Sequence, residues 1–234
     1  MHGPRRHDSR KGISDNMTRF TNVLVDLDGT LTDPFEGIAA SIRHAMNGMG
    51  LKTPSDDDVR RAIGPPLRQT FGNLLATREA SRIEEALRLY RERFSVTGLL
   101  ENRVYPGLSE MLANLDMVGC RLFVATSKPS VYAQKIVDHF GLTQYFVAVY
   151  GSNFDGRLEN KADLIHHLLD SEHLAARDTV MVGDRSQDML GAKAHGLSAI
   201  GVTWGYGSRK ELEDAGADVI CSSPTEVCRF LTES

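Results

Sequence analysis

The chain has 234 residues, 41% hydrophobic and 25% charged, with a net charge of −4, which is the make-up of a globular protein with room for one large domain or a core plus an insert. Lys and Arg are scattered, arguing against a nucleic-acid or membrane-surface protein, and no apolar stretch is long enough to span a bilayer. The 3 cysteines, Cys120, Cys221 and Cys228, form no CxxC pair and point to a reducing compartment, so the expected location is cytoplasmic.

In chain order, residues 1–17 begin MHGPRRHDSRKGISDN, which is polar, basic and aperiodic and lacks the apolar segment of a signal peptide. They read as a disordered extension, with Met17 as an alternative start. VLVDL then reads as a strand, followed by a turn at DGTLTDP. From Pro34 to about Arg103 no strand signal occurs. EGIAASIRHAMNGM (36–49) and RIEEALRLYRERF (82–94) have helical spacing, and Ser55 before Asp56, Asp57 and Asp58 reads as an N-cap with a first-turn acid cluster. Beyond Arg103, strand-like runs at 120–126, 146–151, 179–184 and 197–203 alternate with helical stretches, and Gly119, Gly141 and Gly196 stand where helix C-termini want them. The expected fold is therefore α/β: a Rossmann-like, mostly parallel sheet formed by residues 18–33 and 104–234, with an inserted helical cap at 34–103.

The chemistry-bearing residues fall at strand ends or at the helix starts that follow. Asp26 and Asp28 follow the first strand, Thr126, Ser127 and Lys128 the second, Lys161 the third, and Asp184 and Asp188 the fourth. Parallel strands present their carboxyl ends together, so all of these can meet at one sheet edge. Residues two apart in an extended segment face one side, so Asp26 and Asp28 can approach one ligand, and Gly29 permits an unusual turn after them. Asp184 adds a third acid, and such a group calls for a cation; hard oxygen donors suit Mg²⁺. Lys161, a Thr or Ser hydroxyl and helix-start N–H groups would complete an anion site. Together these are the parts of phosphoryl transfer through an aspartyl-phosphate.

The series DLDGTLTD, a strand ending in TSKP, a following Lys, and GDRSQD closely resembles the four motifs of the haloacid dehalogenase superfamily. The phrases IGPPL, YFVAVYGS, NKADLI and VTWGYGS are similar to its phosphoglycolate phosphatase and 5′-nucleotidase-like branch. The resemblance implies a Mg²⁺-dependent phosphatase acting on a small phosphomonoester, with phosphoglycolate and nucleoside 5′-monophosphates as leading substrates. It implies Asp26 as nucleophile and Asp28 as general acid and base. Thr126, with Ser127 beside it, would hold phosphate oxygens, and Lys161 would neutralise Asp26 and the phosphoryl group. Asp26, the Asp28 backbone carbonyl, Asp184 and Asp188 would serve the metal, Asp188 directly or through water. Arg68, beside Gly64-Pro65-Pro66 in the cap, is the expected substrate contact. Asp33 receives no role, and Trp204 is expected to pack rather than bind.

Within that superfamily, Asp28 argues against dehalogenation, whose halide leaving group needs no proton. Residues 35–100 hold one lysine, Lys52, which argues against Schiff-base phosphonatase chemistry. A sugar phosphomutase is the alternative within the superfamily. A non-catalytic phospho-aspartate signalling or partner-binding protein is the alternative of another class. A nicotinamide enzyme is disfavoured because no GxGxxG follows the first strand.

Overall fold

The computed structural model describes residues 19–233; the extension expected at 1–17, with Met17, lies outside the described residues. Six strands form one parallel sheet in the order β5-β4-β1-β6-β7-β8. They are β1 (Asn22–Val25), β4 (Arg121–Pro129), β5 (Phe146–Ser152), β6 (Thr179–Gly183), β7 (Ser198–Val202) and β8 (Val219–Cys221). The central strands NVLV and TVMVG are buried along their whole length, because helices cover both faces.

Strand alternation divides the core in two. Val23 and Val25 of β1, Leu122 and Val124 of β4 and Val180 and Val182 of β6 point to one face. There they pack under α5 (Leu108–Met117), α6 (Ser130–His139) and α10 (Pro224–Thr232). Leu24, Phe123, Ala125 and Met181 point to the other, under α7 (Lys161–Glu172), α8 (Ser186–Ala194) and α9 (Arg209–Asp214). Gly119, Gly141 and Gly196 end α5, α6 and α8 with φ of 89°, 66° and 71°, the left-handed conformation that their placement in the sequence predicts.

The remaining strands, β2 (Thr32–Asp33) and β3 (Arg103–Val104), pair antiparallel and bracket an all-helical insert. It comprises α1 (Phe35–Gly48), α2 (Asp56–Ala62), α3 (Leu67–Leu74), α4 (Ala80–Arg93) and a π-helical turn at Phe94–Gly98. The acid cluster of α2 does cap its helix. Ser55 Oγ accepts from the Asp58 N–H and the Asp58 carboxylate accepts from the Ser55 N–H, both at 3.2 Å. Arg93 closes the return to the sheet with a two-pronged pair to Glu101 at 2.8 and 2.9 Å. No described helix is long and apolar enough to cross a membrane.

β2, β3, β8, α3, α9 and α10 have no legible signal in the sequence. Strands of two or three residues show no periodicity, and α9 covers six residues. α3 and α10 are also short, at eight and nine residues, which leaves little more than two turns in which a helical period can register.

Helix α1 meets the π-helical turn with no intervening side chain: a Cβ on Gly37 would overlap the Gly98 carbonyl oxygen. In an open helix Gly→Ala gains about 1 kcal/mol. At Gly37 the overlap should reverse the sign and cost about 1–3 kcal/mol, as overpacking does. Thermal unfolding of Gly37→Ala is therefore expected at a lower Tm than wild type; an equal or higher Tm would show that the close approach is not structural.

Candidate active site

The sheet order reverses around β1, which has β4 on one side and β6 on the other. Val25 aligns with Val124 and Val182, so the residues that follow in all three strands emerge at one edge. Asp26 emerges from β1 with its N–H donated to the Val182 carbonyl at 2.9 Å. Thr126 lies in β4 and Asp184 directly follows β6. Asp26, Asp184 and Asp188 are all buried and place carboxylate oxygens within 4.8 Å of one another.

One cation stands among them. The Lys161 ammonium donates to Asp26 Oδ1 and to the Ala125 carbonyl and pairs with Asp188 Oδ1, each at 2.8 Å. That uses all three of its protons. Lys161 is the first residue of α7, whose N-cap Asn160 accepts from the Ala162 N–H at 2.8 Å. Burial opposes its charge, but Asp188 and Asp26 outweigh burial and raise its pKa.

The acids are held as well. Asp184 accepts from the Thr30 hydroxyl at 3.2 Å and the Tyr206 N–H at 2.7 Å, and Asp188 accepts from the Arg185 N–H at 3.1 Å. Gly29, with φ 95°, and Gly205 both approach the Asp184 carboxylate so closely that a Cβ on either would overlap it. Burial, then Asp26 and Asp188, raise Asp184 well above the ordinary carboxylate range. Burial also raises Asp188, to about 6, against the pull of Lys161. Three converging carboxylates answered by one ammonium leave an excess of negative charge. An all-oxygen donor set of that charge fits a hard divalent cation.

Asp28 lies apart from this group. Its carboxylate turns to Lys128, whose Nζ donates to Oδ1 at 2.8 Å, and the pair is nearly buried. Of the four residues expected at the metal, Asp26, Asp184 and Asp188 converge through their side chains, whereas the Asp28 carboxylate does not join them. Burial raises Asp28 and the Asp26 charge adds to this, while Lys128 opposes both. Lys128, noticed in the sequence only by position, is thus the partner of the second acid.

Asp26, Asp28, Thr126, Ser127 and Lys128 line one cavity together with Ile63, Gly64, Leu67, Tyr90 and Phe94 of the insert. Arg185 ties the two sides together: it donates to the Ile63 carbonyl in the insert and to Glu211 at 2.9 Å in the core.

Arg68 corrects an expectation. It is not among the residues lining this cavity, and its guanidinium pairs with Glu84 on the neighbouring helix α4. Proximity in sequence to Gly64-Pro65-Pro66 does not carry its side chain inward, because α3 starts at Leu67 and directs Arg68 toward α4. Trp204 does pack against the core and also donates from Nε1 to the Thr30 carbonyl at 3.0 Å. Asp33, given no role from sequence, accepts from the Tyr206 hydroxyl, the Phe35 N–H at 3.2 Å and Arg103 at 2.6 Å. The only sequence signal for it was its place at the entrance to the insert.

A sequence profile of haloacid dehalogenase-like hydrolases matches residues 23–202. A 5′-nucleotidase of Pseudomonas aeruginosa is 47% identical over 219 residues, covering 94% of this chain and 96% of its own. Tyrosine-protein kinase PtkA of Mycobacterium tuberculosis is 39% identical over 203 residues, covering 87% of this chain and 69% of its own. The crystal structure of a predicted phosphatase from Clostridium acetobutylicum superimposes with a TM-score of 0.88 at 39% identity, covering 92% of this chain and 99% of that one.

The raised acids give the cation site a pH signature. An acid whose pKa is raised by folding favours the folded state at low pH and loses that contribution as pH rises through the raised value. A cation needs the deprotonated form. With Asp188 near 6 and Asp184 also raised, the Tm increase produced by Mg²⁺ should be small at pH 5 and grow as the pH passes 6 toward 8. Asp184→Asn should abolish the increase. An increase independent of pH, or one that survives in Asp184→Asn, would place the cation elsewhere.

Proposed function

The chain belongs to the haloacid dehalogenase-like hydrolases, and on that premise we propose that it is a Mg²⁺-dependent phosphatase that cleaves small phosphomonoesters through an aspartyl-phosphate on Asp26. The observation that carries this reading is the environment of Asp26. One carboxylate oxygen is held by Lys161 at 2.8 Å, and the residue forms part of a cavity shared with Asp28, Thr126 and Ser127.

Asp26 attacks phosphorus and the ester P–O bond breaks. The departing alkoxide takes its proton from Asp28, whose raised pKa favours the protonated form that this step needs. Thr126 and Ser127 hold the phosphoryl oxygens, and Lys161 balances the charge of Asp26 and of the group in transit. Asp28, now ionised and steadied by Lys128, takes a proton from water. That water attacks the phosphoryl group, inorganic phosphate leaves, and Asp26 is restored. Asp26, Asp184 and Asp188 would hold the Mg²⁺, which when bound offsets the negative charge that carboxylates and phosphate bring together.

In this reading the described residues 19–33 and 104–233 form the catalytic core, and residues 34–103 form a cap that closes over the substrate and excludes water. Nucleoside 5′-monophosphates and phosphoglycolate are the leading substrates, and similarity to the Pseudomonas 5′-nucleotidase supports the former. Transfer to a tyrosine hydroxyl, the activity named for the mycobacterial relative, would share the first half-reaction and differ in the acceptor.

Three outcomes test the mechanism. Chelation by EDTA should abolish phosphate release from a phosphomonoester panel, and Mg²⁺ should restore it; full activity in EDTA would exclude the metal. Asp26→Asn should be inactive and form no phospho-enzyme. Asp28→Asn should lose roughly 10²–10⁴-fold in turnover, the usual worth of a general acid–base group. With an aryl phosphate, whose leaving group needs little protonation, Asp28→Asn should accumulate phosphate on Asp26, visible by mass spectrometry. An adduct on another residue, or wild-type turnover by Asp26→Asn, would overturn the mechanism.

A further inference from the structure

Tyr90 presents a buried polar group that the chemistry above does not use. It lies on α4, is 5% exposed, and forms part of the cavity wall alongside Asp28. Its ring is fixed from two sides: stacked on Phe94 at 5.1 Å and 16°, and edge-on to Phe71 at 5.9 Å and 74°. Among the described residues its hydroxyl has no hydrogen-bond partner, whereas every fully enclosed side-chain oxygen or nitrogen has one. The hydroxyl is therefore the part of Tyr90 that reaches open space in the cavity. A ring locked by its neighbours cannot turn away, so it presents this donor to the cavity in one fixed direction, where a bound molecule can pair with it. Burial, then the charge of Asp28, hold the phenol neutral well above physiological pH, so it offers an O–H.

The surrounding wall narrows what this hydroxyl can meet. Ile38, Ile63, Leu67 and Phe94 are apolar. Lys128 is committed to Asp28, and the Arg91 guanidinium stands over the Phe154 ring at 5.3 Å. An uncharged alcohol suits such a wall better than a carboxylate does, because apolar surface cannot replace the hydration of an ion. We propose that Tyr90 is a specificity-determining residue: its hydroxyl hydrogen-bonds an uncharged oxygen carried on the carbon next to the ester carbon, so the site prefers phosphomonoesters of polyols and nucleosides. This rests on the phosphatase reading and adds to it the feature of the alcohol that the insert recognises.

The test compares wild type with Tyr90→Phe, which keeps the ring and both aromatic contacts, on four substrates with Mg²⁺. AMP and glycerol 3-phosphate carry the neighbouring uncharged oxygen, phosphoglycolate carries a carboxylate there, and phenyl phosphate carries no acceptor. Loss of one neutral hydrogen bond should lower kcat/KM for AMP and glycerol 3-phosphate by about three- to tenfold. The loss should fall mainly on KM, as for an interaction made equally in the ground and transition states. Phenyl phosphate should stay within about twofold, since it has no oxygen to lose a bond to. An equal fall on all four substrates would show a packing role, no fall on AMP and glycerol 3-phosphate would show no contact, and a fall greatest for phosphoglycolate would show a carboxylate site. Each of these overturns the proposal while leaving the phosphatase reading intact. Failure of wild type to hydrolyse any of the four would overturn that reading, and the proposal with it.

Discussion

The constraint on which this structure depends is the burial of Asp26, Asp184 and Asp188 around one lysine at the edge of a parallel sheet. Like charges that close repel strongly in a medium less polarisable than water. The surroundings are built to tolerate this. Lys161 commits its donors to Asp26, Asp188 and the Ala125 carbonyl, Thr30 and the Tyr206 N–H bind Asp184, and Asp188 closes the first turn of α8. Side chains are removed where acids need room, at Gly29 and Gly205. Turns, caps and glycines spread over nearly the whole length of the sheet domain thus answer to one concentration of charge.

Much of that was legible in the sequence because its causes are local. The alternation of strands with helices, the glycine C-caps and the Ser55 N-cap each follow from a few neighbouring residues, and the structure shows them where they stand in the sequence. Asp26, Thr126, Lys161, Asp184 and Asp188 could be brought together on paper because parallel strands share an edge. What was not legible depends on where a side chain turns after the backbone has delivered it. Lys128 pairs with Asp28 across 100 positions of chain, and nothing near either residue announces it. Arg68 fails for the same reason in reverse: α3 carries it beside the right loop but toward Glu84. Tyr90 reads in the sequence as one more residue of an amphipathic helix, and only the packing of Phe71 and Phe94 shows how its ring is held in the cavity wall.

The two sides of the cavity contribute different things. The sheet edge supplies charge and the groups that would handle phosphate. The insert supplies mostly apolar and aromatic surface, with the Tyr90 hydroxyl and with Arg91, whose guanidinium stands over the Phe154 ring. One polar contact between them is made by Arg185, a residue of the GDRSQD segment that reaches the Ile63 carbonyl while its other side rests on Glu211. A motif that serves the acids therefore also touches the surface opposite them.

Tyr206 extends that economy. Its main-chain N–H binds Asp184 and its side-chain hydroxyl binds Asp33 in the ribbon that leads into the insert. One residue is thus anchored at both ends, to the most deeply buried acid and to the doorway of the helical layer. Linked equilibria are reciprocal: whatever the state of charge at Asp184 does to the posture of that ribbon, the posture of the ribbon does in equal measure to the affinity of Asp184 for a proton or a cation. Asp33, silent as a motif, gives the threshold of the insert a hydrogen bond to the same residue that holds Asp184, so any coupling between the two would pass through Tyr206.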